Sequence, residues 1–163
     1  MTVELIIDSY RVTGELLGHG APHRLVDLLN LSDEPLVAVR DGALDDPFID
    51  GDEPRRFDTM QVRREAILFA IPRSAVKVHP DPYDLIEKVP VPATITVPGF
   101  EITGNVYLLP EIDPAAGHLL SGNHFIPMTD VSIRAVARTE PAWIKPVVVV
   151  NASRARLFAP RSG

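Results

Sequence analysis

Short runs of alternating apolar and polar residues dominate this chain. Residues 3–16, VELIIDSYRVTGEL, place Val3, Leu5 and Ile7 on one face, turn at Asp8-Ser9, and resume alternation through Tyr10 and Val12. A period of two on both sides of a turn-forming pair predicts a β-hairpin, because successive strand side chains point to opposite faces. Residues 93–106, ATITVPGFEITGNV, repeat the pattern 90 positions later. Leu5 falls on Ile95, Ile7 on Val97, Tyr10 on Phe100, Val12 on Ile102 and Thr13-Gly14 on Thr103-Gly104, with Pro98-Gly99 as the second turn. A third block lies 89 apart: Leu36-Val37-Ala38-Val39-Arg40-Asp41 matches Phe125-Ile126-Pro127-Met128-Thr129-Asp130. A fourth, Ile71-Pro72-Arg73-Ser74 against Val150-Asn151-Ala152-Ser153, lies 79 apart and carries Lys77 onto Arg156 and Val78 onto Leu157. Blocks recurring in the same order predict an internal repeat. On this alignment the first copy holds ten extra residues (89 − 79), within the acidic stretch 45–62.

Between hairpin and third strand, residues 22–30 set Leu25, Leu28 and Leu29 at helical spacing behind Pro22, which suits a first helical turn. Asp113-Pro114 opens a shorter counterpart, interrupted by Gly117. Prolines 80, 82, 90 and 92 stiffen the segment between the copies. The expectation is an all-β or β-dominated chain of two tandem diverged repeats, each a small barrel-like module, in a pseudo-twofold arrangement. The first module spans 1–80, a proline-rich connector 81–92 and the second module 93–163. The continuous apolar run Val147-Val148-Val149-Val150 suits a strand covered on both faces, which a module of this size supplies only with help from its partner copy or a second chain.

Composition narrows the function classes. Sixteen prolines in 163 residues, against a usual share of ~5%, argue against a helix bundle. The absence of cysteine excludes disulfides, thiol catalysis and thiolate metal sites. No apolar stretch approaches the ~18 residues of a membrane helix, and the start, MTVELIID, has no basic-then-apolar leader pattern. The expected location is cytoplasmic, with no membrane partner. Residues 1–80 carry 9 basic and 14 acidic side chains, residues 81–92 carry 1 and 3, and residues 93–163 carry 6 and 5, giving −5, −2 and +1. No segment is basic enough to attract phosphate at long range, so nucleic acid is not an expected partner.

Candidate chemistry is sparse. His19 and His23 are four apart, but Gly18, Gly20 and Pro22 argue against the helix that would align them; His79, His118 and His124 are isolated. The stretch Asp45-Asp46-Pro47-Phe48-Ile49-Asp50-Gly51-Asp52-Glu53 is rich in oxygen ligands, yet an EF-hand loop begun at Asp46 would put Phe48 and Phe57 at ligand positions, which excludes that motif. It reads as a solvated loop separable from the module, balanced by Arg55, Arg56, Arg63 and Arg64. There is no nucleophile elbow, phosphate loop or dinucleotide fingerprint. Asp41 and Asp130, at equivalent positions, read as turn-shaping residues, and Gly14 and Gly104 as sites of strand bending or close backbone approach. No catalytic, cofactor-binding or metal residue is assigned, and no cofactor is expected.

Two resemblances extend this reading. Tyr10 to Gly14, Leu25 to Asn30, Leu36 to Asp41, Phe125 to Asp130 and Asn151 to Ser153 resemble a family of small bacterial β-rich modules that brings a fold expectation but no activity. Asp27-Leu28-Leu29-Asn30-Leu31 is similar to a loop of the Sm-like RNA-binding barrels, which implies RNA binding and ring assembly. The thirteen residues from Gly14 to Asp27, the sequence His118-Leu119-Leu120-Ser121-Gly122 in the second copy, and the missing Arg-Gly pair near residues 72–73 depart from that family. Three readings stand: a non-catalytic binding or assembly protein that forms a homo-oligomer, an Sm-like RNA-binding protein, and an enzyme whose site lies between the copies.

Overall fold

The computed structural model describes residues 1–18, 24–31, 34–49, 51–73, 87–116, 119–122, 124–138 and 141–161. Among the described residues, ten strands form one antiparallel sheet. They are β1 (Thr2–Ile7), β2 (Tyr10–Leu16), β3 (Leu36–Asp45), β4 (Arg55–Arg63), β5 (Ile67–Pro72), β6 (Val89–Val97), β7 (Phe100–Leu108), β8 (Phe125–Ala135), β9 (Trp143–Asn151) and β10 (Leu157–Pro160). Helix α1 (Leu25–Leu31) joins β2 to β3, where leucines recur at helical spacing, and a 3-10 turn at Pro114–Ala116 stands between β7 and β8. Asp113 Oδ1 accepts from Ala115 N at 2.9 Å and starts that turn.

The two-residue hairpins are as the alternation requires: Ile7 pairs Tyr10 across Asp8-Ser9, and Val97 pairs Phe100 across Pro98-Gly99. Asp8 and Gly99 supply the positive φ, at 47° and 85°. Strand order across the sheet is β10-β6-β7-β8-β9-β5-β1-β2-β3-β4.

Four expectations need correction. The sheet is open, with β10 and β4 at its two edges, rather than closed into barrels. The expected twofold arrangement is also absent. Both five-stranded stretches run fifth-first-second-third-fourth in the same direction, so β9 meets β5 head to tail, whereas a twofold would reverse the order. Residues 45–62 are not an acidic insert, because Arg55–Arg63 is strand β4, paired with β3 from Leu36↔Arg63 to Leu44↔Arg55. Residues 89–92, expected in the connector, begin β6, with Pro90 paired to Tyr107 and Pro92 to Asn105. Strand β10 pairs only as far as Ala93, with one further bond from Arg161 N to Pro92 O at 2.7 Å, so these prolines lie where β6 runs out to the sheet edge and a missing N–H is tolerated.

Two cores sit on opposite sides of the β5–β9 junction. One gathers Val3, Leu5, Val12, Leu25, Leu29 and Val39 and takes in Phe125 and Val149 from the second half of the chain. The other gathers Ile95, Phe100, Ile102, Met128 and Ile133 and takes in Ile6, Leu68, Phe69 and Ile71 from the first half. The junction strands therefore feed both cores: Ile67 and Ala70 one way and Leu68, Phe69 and Ile71 the other, with Val149 opposed to Val148 and Val150. The apolar run at 147–150 has its physical reason here: Val148 and Val150 pack into the core centred on the second half, and Val149 into the core centred on the first.

Candidate functional site

The polar feature that stands out is a cleft at the junction. β9 pairs with β5 only at Phe69↔Val150 and Ala70↔Val149. Towards its beginning, β9 stays with β8 through Val131↔Lys145 and Ile133↔Trp143 and parts from β5. The wedge between them is a cleft of about 180 Å³, walled by Glu4, Ile6, Arg11 and Ile71 on one side and Trp143, Ile144 and Lys145 on the other.

Strand alternation explains the charge in its wall. Ile6 faces the second core, and Glu4, two positions before it, shares that face of β1. Glu4 is buried, 6% exposed. Its Oε1 lies 3.3 Å from Arg73 Nη2 and 3.6 Å from Arg11 Nη1. Arg11, paired with Asp45 in the β2–β3 register, donates from Nε to Asp45 Oδ1 at 3.0 Å and from Nη2 to Oδ2 at 2.5 Å. The fork fixes the guanidinium plane. Asp45's hydrogen bond raises the Arg11 pKa above its usual value against the opposing effect of burial, with the charges of Asp45 and Glu4 adding to the rise. Arg11 is thus a permanent cation. Trp143, the only tryptophan, is stacked 5.5 Å from Phe48 and lies 6.1 Å from Phe100.

The other candidates fall elsewhere. His19, His23, His79 and His118 lie outside the described residues; the backbone carbonyl of His124 accepts from Ala152 N at 2.9 Å. In the acidic loop, Asp46 Oδ1 accepts from Phe48 N and Asp52 Oδ2 from Asp46 N, so these carboxylates tie the loop's own backbone. Among the described residues no group of three His, Asp or Glu side chains is placed to hold a metal ion. Phe48 leaves that loop to pack on the second core, so the loop is not separable as its acidity suggests, although Ile49 stays 55% exposed.

Asp41 and Asp130 lie within β3 and β8 at φ of 50° and 53°, beside register shifts opposite Gly14 and Gly104. A Cβ on Gly14 would lie 2.9 Å from Arg40 O, and one on Gly104 2.8 Å from Thr129 O, so both glycines permit close backbone approach. Asn30, from the segment similar to an Sm-like loop, uses its amide on Phe125, donating to its carbonyl at 3.1 Å and accepting from its N–H at 2.7 Å. Asn151 is buried and donates to Ile67 O at 2.9 Å while accepting from Ser153 N and Oγ. Both asparagines are structural clamps across the junction. The charge network of Glu4, Arg11, Asp45 and Arg73 was missed because its members stand up to 69 positions apart, and only the β1–β2–β3 and β1–β5 pairings bring them together. Comparison with family models, with curated proteins and with solved structures finds no match.

Proposed function

We propose that this is a non-catalytic assembly protein: two diverged copies of one five-stranded module, joined head to tail, that extends to further chains by the same junction. What supports the repeat is recurrence of register at separations of 90, 89 and 88. Leu5↔Val12 is matched by Ile95↔Ile102, Val12↔Leu44 by Ile102↔Ile133, Leu36↔Arg63 by Phe125↔Asn151, and Val3↔Pro72 by Ala93↔Pro160.

The observation that carries the assembly reading is the plug at the internal junction. Phe125, at the start of β8, is buried against Leu25, Leu29 and Ile67 while β9 lies along β5. Among the described residues, no strand lies beyond the corresponding parts at the two ends of the sheet. Leu36, in the place of Phe125, is 40% exposed beside edge strand β4. A groove of about 380 Å³ beside edge strand β10 is lined by Pro114, Ala115, Leu120, Leu157, Phe158 and Pro160, with Arg156 as its one charged residue. Leu36 of one chain is placed to enter that groove on the next as β4 pairs with β10. Pro160 is no obstacle, since Pro72 ends β5 in the same way at the internal junction.

Light scattering coupled to size-exclusion chromatography tests this. At about 50 μM the chain should exceed its monomer mass of 17.9 kDa, and Leu36→Asp should return it to that mass without loss of folding, because Leu36 already meets solvent. A clean monomer, or an oligomer indifferent to Leu36→Asp, rejects the proposal.

A further inference from the structure

We infer that the junction cleft is a binding site for a small carboxylate with a flat apolar body. The first argument is that the fold does not require the buried carboxylate. On the two-copy reading, Glu4, Ile6 and Arg11 correspond to Thr94, Thr96 and Glu101, and Trp143 and Lys145 to Arg55 and Phe57. The second half builds the same β-hairpin register with Thr94 hydrogen-bonded to Thr103 at 3.1 Å in place of the buried carboxylate. The Arg11–Asp45 pair has its counterpart in Glu101–Arg134 with the charges exchanged, so that pair goes with the strand register, whereas Glu4 falls on Thr94. Burying a carboxylate costs desolvation that its ion pairs barely repay, so Glu4 is poorly explained by stability.

The second argument is the charge left over. Glu4, Arg11 and Lys145 line the cleft, Asp45 is paired with Arg11 and Arg73 with Glu4, so that among the described residues three cations stand against two anions, a surplus of one positive charge. Arg11 is held by Asp45 and Glu4, and Arg73 by Glu4, whereas Lys145 has no ion-pair partner among the described residues and lines the opposite wall. One monoanion completes the set. The remaining lining is apolar and planar, with Ile6 and Ile71 on one side and Trp143 on the other, held by the stack on Phe48. A volume of about 180 Å³ suits a single ring with its carboxylate.

Trp143 is the only tryptophan and lines the cleft, so its emission reports occupancy directly. Benzoate is the probe, with benzamide as the neutral shape-mate and inorganic phosphate as the anion without an apolar body. The expected result is a saturable change with benzoate, with a dissociation constant of about 1 mM or tighter. Benzamide, phosphate and the Lys145→Gln variant should each weaken it by about tenfold. Glu4→Gln, which removes a negative charge from the wall, should tighten it, provided thermal unfolding shows the variant folded. Linear quenching without saturation, equal response to benzamide or phosphate, or unchanged binding in Lys145→Gln overturns the inference. Lys145 lies on neither β4 nor β10, so light scattering on the same variant reports assembly separately, and either proposal can fail alone.

Discussion

Phe48 reaches from the β3–β4 loop of the first half onto the core of the second, with Trp143 at 5.5 Å, Phe100 at 5.8 Å and the Arg138 guanidinium over its other side at 5.2 Å. Arg138 also donates to the Phe48 carbonyl at 3.4 Å. One aromatic ring in an acidic loop therefore ties the halves together at a distance from the β5–β9 pairing. Fully buried Phe→Ala substitutions cost about 3–5 kcal/mol, and Phe48 is partly buried, so Phe48→Ala should cost about 2 kcal/mol. Urea unfolding followed by Trp143 emission measures this, and a change within about 0.5 kcal/mol would mean that the loop is independent of the second core. The loop's composition hid this role. The nine positions from Asp45 to Glu53 read as a solvated loop, and nothing local to them records that Trp143, 95 positions on from Phe48, presents a ring to meet it.

At the scale of elements, the hairpins and third strands were legible because their alternation is local: Val3, Leu5 and Val12 face one core, and Ile95 and Ile102 the other, through contacts within a few tens of residues. The fourth strands were not. β9, WIKPVVVVN, is buried on both faces from Val148 to Asn151, whereas β4, RRFDTMQVR, is an exposed edge. Apolar β5, ILFAIP, therefore matched β9 in sequence, although β5 lies beside β9 in the sheet and the pairing of β8 with β9 recurs as that of β3 with β4. Hydrophobicity reported where a strand lies in the whole sheet, not which strands it pairs with, and the ten-residue insert was the arithmetic result of that mismatch. The junction cleft escaped the sequence for a related reason, since it exists only where β9 departs from β5. Helix α1 shows the junction's dependence on polar clamping. Asn30 satisfies both backbone groups of Phe125, and Arg64 donates to Leu29 O at 2.8 Å while lying 5.0 Å over the Phe125 ring. Asn30→Ala leaves a partly buried N–H and carbonyl unmatched and should cost about 1–3 kcal/mol, read as a lowered urea midpoint with unchanged slope.

For the whole molecule, the two free edges carry the same sign of charge. β4 holds Arg55, Arg56 and Arg63 against a single Asp58, and Arg156 and Arg161 flank β10. Basic residues on an edge strand discourage pairing with another chain. The internal junction has no such conflict, because Asn151 and Val150 of β9 face a β5 that holds no charge from Ile67 to Pro72. Transferring its register to two chains brings Arg63 of one near Arg156 of the other, a repulsion that the plug of Leu36 must overcome. Salt screens repulsion between exposed charges, with a Debye length of about 10 Å at 0.1 M and about 3 Å at 1 M. Self-association should therefore strengthen as sodium chloride rises from about 0.05 to about 0.5 M. Binding to RNA runs the other way, since each phosphate contact releases counterions and weakens with salt. The net charge of −6 and the commitment of Asn30 to Phe125 argue that no such binding occurs. A salt series read by light scattering, alone and with a single-stranded RNA, separates the two. Mass that grows with salt and is unchanged by RNA supports assembly through β4 and β10. Mass that falls with salt, or a salt-sensitive complex with RNA, replaces that reading with a nucleic-acid one.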